Sequence, residues 1–128
     1  MASRIEAIRE RLMQLIKVSP EIEGCALISS DGFMLVNLLP PGMITLSDED
    51  IAAMCASLLS IGEKIVKDMK KGVFERQIIM GKQGYTIIMD AGPEAILMVL
   101  ARKGEKDRLG LIYLEAGRAA RDVAEMIG

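Results

Sequence analysis

Residues 51–62 read IAAMCASLLSIG, without a single charge, and this stretch constrains the fold more than any other. Ser47 is a good N-cap before it, and Asp48, Glu49 and Asp50 suit the positive end of a helix. The helix is expected to run to about Lys70, with Lys67, Lys70 and Lys71 near its C-terminus and Gly72 just past it. The uncharged part alone spans about three turns, roughly 18 Å. A helix lying on a monomeric sheet keeps a polar stripe for water. Here Ile51, Met54, Cys55, Leu58, Ile61 and Ile65 are expected to face a sheet. The other side offers Ala53, Ala56, Ser57 and Ser60, with Leu59 beside them. Alanine and serine are tolerable helix residues on any surface. At this spacing they also let a second helix come close, most simply a copy of the same helix in a homodimer.

The segments around it define what such a helix could cover. Ile5, Ile8, Leu12, Leu15 and Ile16 recur at helical spacing, opposite Glu6, Arg9, Glu10 and Lys17. That helix is expected to stop near Pro20. Next comes GCALISSDGFMLV, residues 24–36, in which Asp31-Gly32 joins two apolar runs. An Asp-Gly pair in that setting is a strong hairpin signal, since a two-residue turn needs positive φ at both positions. It predicts pairing of Ser30 with Phe33, Ile28 with Leu35 and Ala26 with Asn37. On the other face it pairs Ser29 with Met34, Leu27 with Val36 and Cys25 with Leu38. Both faces are largely apolar, so the hairpin is expected to be covered on both sides.

After Gly72 three strand-like segments follow, VFERQIIMG, GYTIIMDA and AILMVLARK, divided by Gly81–Gly84 and AGPE. The third is apolar from Ala95 to Ala101 and suits the centre of a sheet. The first sets Phe74, Ile78 and Met80 against Glu75, Gln77 and Ile79 and suits an edge. It lacks proline, and Glu75 and Arg76 are its one edge defence, so it invites pairing with another chain. Leu109, Ile112, Tyr113, Ala116, Ala120, Val123 and Ile127 repeat as a helix, although LGLIYL alone could be a strand. The order is helix, two strands, helix, three strands, helix. An α+β fold answers it, a five-stranded antiparallel sheet with helices on both faces. One domain is expected over residues 1–128.

Much chemistry is excluded. The chain has no histidine, which removes Ser-His and Cys-His pairs, most zinc sites and the commonest general base. Ser29, Ser30 and Asp31 cluster like a hydrolytic site but lack a base and oxyanion donors, so they read as turn residues. Gly81-Lys82-Gln83 lacks the other residues of a phosphate loop. Cys25 and Cys55 lie in apolar runs and read as buried, reduced packing residues. Met34, Met80, Met89 and Met98 read as core filler, and Gly110 and Gly117 as sites of close helix packing. A net charge of −2 and four Tyr or Phe residues offer nucleic acid neither field nor stacking platform. No apolar run approaches the length of a membrane span, and the charged N-terminus has no signal-peptide core, so a cytosolic chain is expected.

The hairpin GCALISSDGFML, the helix DEDIAAMCASLLSIGEKI, the strands RQIIMGKQGYTIIMDAGPEAILMVLARK and the closing LGLIYLEAGRAARDVAEMI resemble the roadblock/dynein light chain domain, in its prokaryotic branch. The likeness runs from about Ile5 to Ile127 and rests on element order and apolar positions, not on a catalytic motif. It implies the middle helix on one sheet face, the terminal helices on the other, and dimers formed through the middle helix and third strand. It further implies a partner, a Ras-like small GTPase in prokaryotes or a dynein or lysosomal assembly in eukaryotes. The expected interface is Ala53, Ala56, Ser57, Leu59, Ser60, Phe74, Arg76, Ile78 and Met80, with itself or a paralogue across it. No enzyme activity and no cofactor are implied. Arg76, Arg102, Arg118 and Arg121 are the candidates for an arginine finger, and none stands out. Two rivals remain: a scaffold subunit, which shares every feature, and a small-molecule sensor, against which no polar or aromatic cluster converges on a pocket.

Overall fold

In a computed structural model, residues 3–128 are described. The elements are α1 (Arg4–Ile16), β1 (Ile22–Ser29), β2 (Met34–Leu38), α2 (Asp48–Asp68), β3 (Arg76–Met80), β4 (Gly84–Asp90), β5 (Ala95–Arg102) and α3 (Leu109–Ile127). The five strands form one antiparallel sheet in the order β2-β1-β5-β4-β3. The uninterrupted apolar strand β5 lies at its centre and β3 at one edge, as their sequences require. Residues 109–114 are helical, which settles the LGLIYL ambiguity.

Alternation along the strands divides the interior in two. Cys25, Leu27, Ile87, Leu97 and Val99 point to α1 and α3, where they meet Ile8, Leu12, Leu15, Ile112, Ala116 and Val123. Ala26, Ile28, Ile88 and Ile96 point to α2 and meet Ile51, Ala52, Cys55 and Leu59. Ser3 and Ser47 cap α1 and α2, accepting from the amides of Glu6 and Asp50 at 3.1 Å. Each such cap contributes about 1 kcal/mol.

The hairpin differs from the expected two-residue turn. Gly32 has φ +91° while Asp31 does not enter the positive region, so one left-handed position suffices. The Gly32 amide donates to the Ser29 carbonyl at 2.9 Å, and the Ser29 amide to the Phe33 carbonyl at 2.8 Å. The loop is thus three residues, Ser30–Gly32. That alone would shift β2 by one residue and turn Val36 out of the core. A bulge corrects it: Ile28 pairs with Met34 and Leu27 with Val36, leaving Leu35 as the extra residue. The expected pairs Cys25–Leu38, Ala26–Asn37 and Leu27–Val36 are present; those of Ser29, Ser30 and Ile28 are replaced. Nor is the hairpin covered throughout, because β2 is an edge strand with Leu35 and Asn37 exposed.

The rotation of α2 also differs. Its sheet-facing line is Ile51, Ala52, Cys55, Leu59 and Gly62, whereas Met54, Ile61 and Ile65 are exposed. Phe74, in the loop after the helix, explains this. Its ring lies on Gly62, where an added Cβ would sit 2.7 Å from Cε1. Only glycine lets the ring in, and the helix turns its Gly62 line toward the sheet. The helix ends at Asp68, before the expected Lys70. The Lys71 amide donates to the Val66 carbonyl at 2.8 Å and the Lys70 amide to Lys67 at 3.1 Å, with Lys70 at φ +59°. This is a Schellman ending with lysine where glycine is usual.

Candidate functional site

On α2 the large exposed side chains form a line: Met54, Leu58, Ile61 and Ile65, at spacings of four, three and four. Met54, Ile61 and Ile65 are each about half exposed, and Leu58 is half-buried. The line lies roughly 90° around the helix from the sheet-facing residues. It has the spacing of a helix–helix seam; Leu58 packs partly against the core under α2, while Met54, Ile61 and Ile65 stay exposed among the described residues. Ala53, Ser57 and Ser60 are exposed and point outward beside it. Ala56 is half-buried, with its Cβ toward the hairpin tip at Gly32. Leu59, expected on the outer side, faces the sheet and is 7% exposed.

Next to this flank runs the free edge of β3. Its pairing with β4 is regular from Arg76–Met89 to Met80–Tyr85. Ile78, Ile79 and Met80 are 37%, 43% and 55% exposed, so Met80 is not the core filler expected of it. Gln77 Oε1 is buried without a hydrogen-bond partner among the described residues. The two sheet edges are unlike. β2 carries the Leu35 bulge and runs into Pro40-Pro41, both of which obstruct pairing, while β3 has neither device.

Besides Leu59, two more expected interface residues are occupied internally. Phe74 is buried against Gly62. Arg76 Nη1 donates to the Tyr113 carbonyl at 2.9 Å, and its guanidinium lies 4.1 Å from the Tyr113 ring centroid. It also lies on Gly117, where a Cβ would meet Nη2 at 2.6 Å. The Gly117 expectation of close packing is thus met, by an arginine; Gly110 has open space around it. Arg76 therefore fixes β3 to α3 and is not free at the edge. Arg118 pairs with Glu115 at 2.9 Å, and Arg102 and Arg121 are exposed at separate places.

The remaining candidates settle simply. Ser29 Oγ accepts from the Phe33 amide at 3.0 Å, so the Ser-Ser-Asp cluster is turn structure. Cys25 and Cys55 are buried on opposite faces of the sheet. Burial pushes their thiols up to about 12 and about 11. What the sequence did not disclose is a convergence of Glu21, Tyr85 and Arg108 on a cavity of about 280 Å³. These residues lie more than 20 positions apart in the chain and form no motif, so only the fold brings them together. No described helix is long and apolar enough to cross a membrane.

A five-stranded antiparallel sheet with one long helix on one face and two terminal helices on the other defines the class of protein. Residues 8–101 match the Roadblock/LC7 domain, and the chain belongs to that family. Two Methanocaldococcus jannaschii proteins, MJ1340 and MJ0310, are each 29% identical over 117 residues, covering 91% of this chain and 97% of theirs. Among solved structures, MglB in a tetrameric arrangement superposes with a TM-score of 0.83 at 20% identity, over 98% of this chain and 91% of that one. The gliding protein MglB of Thermus thermophilus gives 0.83 at 19%, covering 98% and 92%. A Roadblock/LC7 domain of Streptomyces avermitilis gives 0.74 at 22%, covering 92% and 95%. At these identities the structures establish the fold.

Proposed function

We propose that this chain is a non-enzymatic adaptor that works as a two-fold dimer, with itself or a paralogue, and regulates a Ras-like small GTPase. The observation that carries the dimer is the apolar flank Met54-Leu58-Ile61-Ile65 lying beside an undefended β3 edge. Two copies joined antiparallel at β3 would form one ten-stranded sheet and set their α2 flanks against each other. Charge favours that orientation. Asp48, Glu49 and Asp50 begin α2, and Lys64, Lys67, Lys70 and Lys71 lie at its end. An antiparallel pair therefore brings acidic ends to basic ends, and a parallel pair would oppose like charges. A donor from the second copy would also satisfy Gln77 Oε1.

Ala53, Ser57 and Ser60 would then form a small-residue platform across the paired helices, available to a partner. That the partner is a Ras-like GTPase rests on the roadblock likeness. The internal engagement of Arg76 favours a mechanism without an arginine finger, in which the adaptor positions the GTPase's own residues. The test is a pull-down from lysate with GDP or a non-hydrolysable GTP analogue. A small GTPase held only with the analogue supports regulation. A larger assembly recovered regardless of nucleotide would replace it with a scaffold role.

A further inference from the structure

The 280 Å³ cavity lies between the β5–α3 loop and the end of the sheet where β3 stops. Glu21, immediately before β1, forms part of its wall and is 5% exposed. The ionic contact of its carboxylate is Arg108 Nε at 3.6 Å, too long for a hydrogen bond. Tyr85 is 7% exposed, and its hydroxyl has no hydrogen-bond partner among the described residues. The buried Tyr85 hydroxyl requires a partner, and the Glu21 carboxylate, largely buried with its oxygens still reaching the cavity, can take one. Gly104 lies against the Glu21 carboxylate, so a side chain there would have to displace it. A larger hollow of about 750 Å³, near Met13, Leu39 and Ile44, has no unpartnered buried polar atom and no comparable anchor.

Charge identifies the class of ligand. The lining sets Glu21, Glu105 and Asp107 against Lys103, Lys106 and Arg108. That balance gives no net field to collect a simple cation or a simple anion. We propose that the cavity binds a small zwitterion of the α-amino acid class, its ammonium donating to Glu21 and the Tyr85 oxygen and its carboxylate accepting from Arg108. An ammonium has three donors and no acceptor, which suits a carboxylate and a phenol oxygen together. A guanidinium presents the fork that a carboxylate fits. Burial, with Glu21 and Asp107 nearby, raises the Tyr85 pKa, and the lone pairs of the hydroxyl oxygen can accept from the ammonium. The volume lies at the lower end of ligand cavities and admits one small molecule.

The test uses the full chain in thermal-shift assays with the twenty α-amino acids singly at millimolar concentration, followed by calorimetry. Methylammonium and acetate serve as single-charge controls. At least one amino acid should raise Tm where neither control does. Tyr85→Phe, which removes only the hydroxyl, and Arg108→Gln, which keeps a neutral donor beside Glu21, should each weaken that binding about tenfold or more, with native circular dichroism checked for both. The proposal is overturned if no amino acid shifts Tm, if affinity survives both substitutions, or if methylammonium binds as tightly.

Discussion

Lys70 is the sole described residue other than glycine with positive φ. A Cβ in that conformation costs about 1–2 kcal/mol, yet the Schellman bonds fix it there. Lys70→Gly should therefore raise stability by about 1 kcal/mol, read as a higher midpoint in urea at constant slope. At Gly117 the strain runs the other way. Gly117→Ala drives the Arg76 guanidinium off the Tyr113 carbonyl and ring, a loss of about 1–2 kcal/mol. In an Arg76→Ala background the same change should become neutral or mildly stabilising, because alanine is the better helix residue. Additive losses would show that Arg76 and Gly117 do not act together. The thiols give a pH-dependent case. Unfolded they ionise near 9.0, and folded at about 12 and about 11. Their contribution to stability is thus full below pH 9 and falls as pH rises toward those folded values. At pH 8 an aromatic disulfide reagent should label neither cysteine in the native protein and both in denaturant.

At the scale of elements, the signals that could be read were those made by neighbours in sequence. Element order, the Ser47 cap, the central place of β5 and the edge place of β3 all follow from local spacing. The rotation of α2 does not, because a ring at position 74 fills the space over Gly62 and turns Leu59 inward. The alternatives differ by less than half a helical turn in an apolar stretch, where every rotation buries something. The hairpin was similarly half legible. Asp-Gly marked the turn, but the three-residue loop and its compensating bulge answer to Val36 reaching the core. This yields a test: deleting Leu35 removes the bulge while leaving Val36 opposite Leu27. That variant should fold with native circular dichroism, whereas Val36→Asp, which puts a charge into the core position opposite Leu27, should abolish cooperative melting. The Leu35 deletion should also self-associate more on light scattering, since it straightens an edge strand. The Glu21–Tyr85–Arg108 cavity had no local signal of any kind, because its members converge only through the register of β4, β5 and the loop after them.

For the whole molecule the decisive quantity is mass. The interface expected from sequence combined a stripe of alanine and serine with Leu59 on α2 and Phe74, Arg76, Ile78 and Met80 at the third strand, and the structure adds beside the stripe a flank of Met54, Leu58, Ile61 and Ile65. In the proposed dimer the large residues would join the copies, and the small ones would remain outside for a partner. The chain weighs 14.0 kDa, so light scattering at micromolar concentration should give twice that value. Ile61→Asp with Ile65→Asp places two charges on the proposed seam without touching the residues under α2. Neither side chain belongs to the core, so the variant should keep its helical signal and melt cooperatively as a 14.0 kDa monomer. Burial of an unpaired carboxylate in a helix pair costs several kcal/mol, enough to dissociate a micromolar dimer. A folded variant that stays dimeric would place the contact elsewhere, on the β3 edge alone or on the α1–α3 side. Should the monomer still capture the proposed GTPase partner, the platform would be complete in one chain. Loss of capture together with the dimer would mean that the partner reads both α2 helices at once.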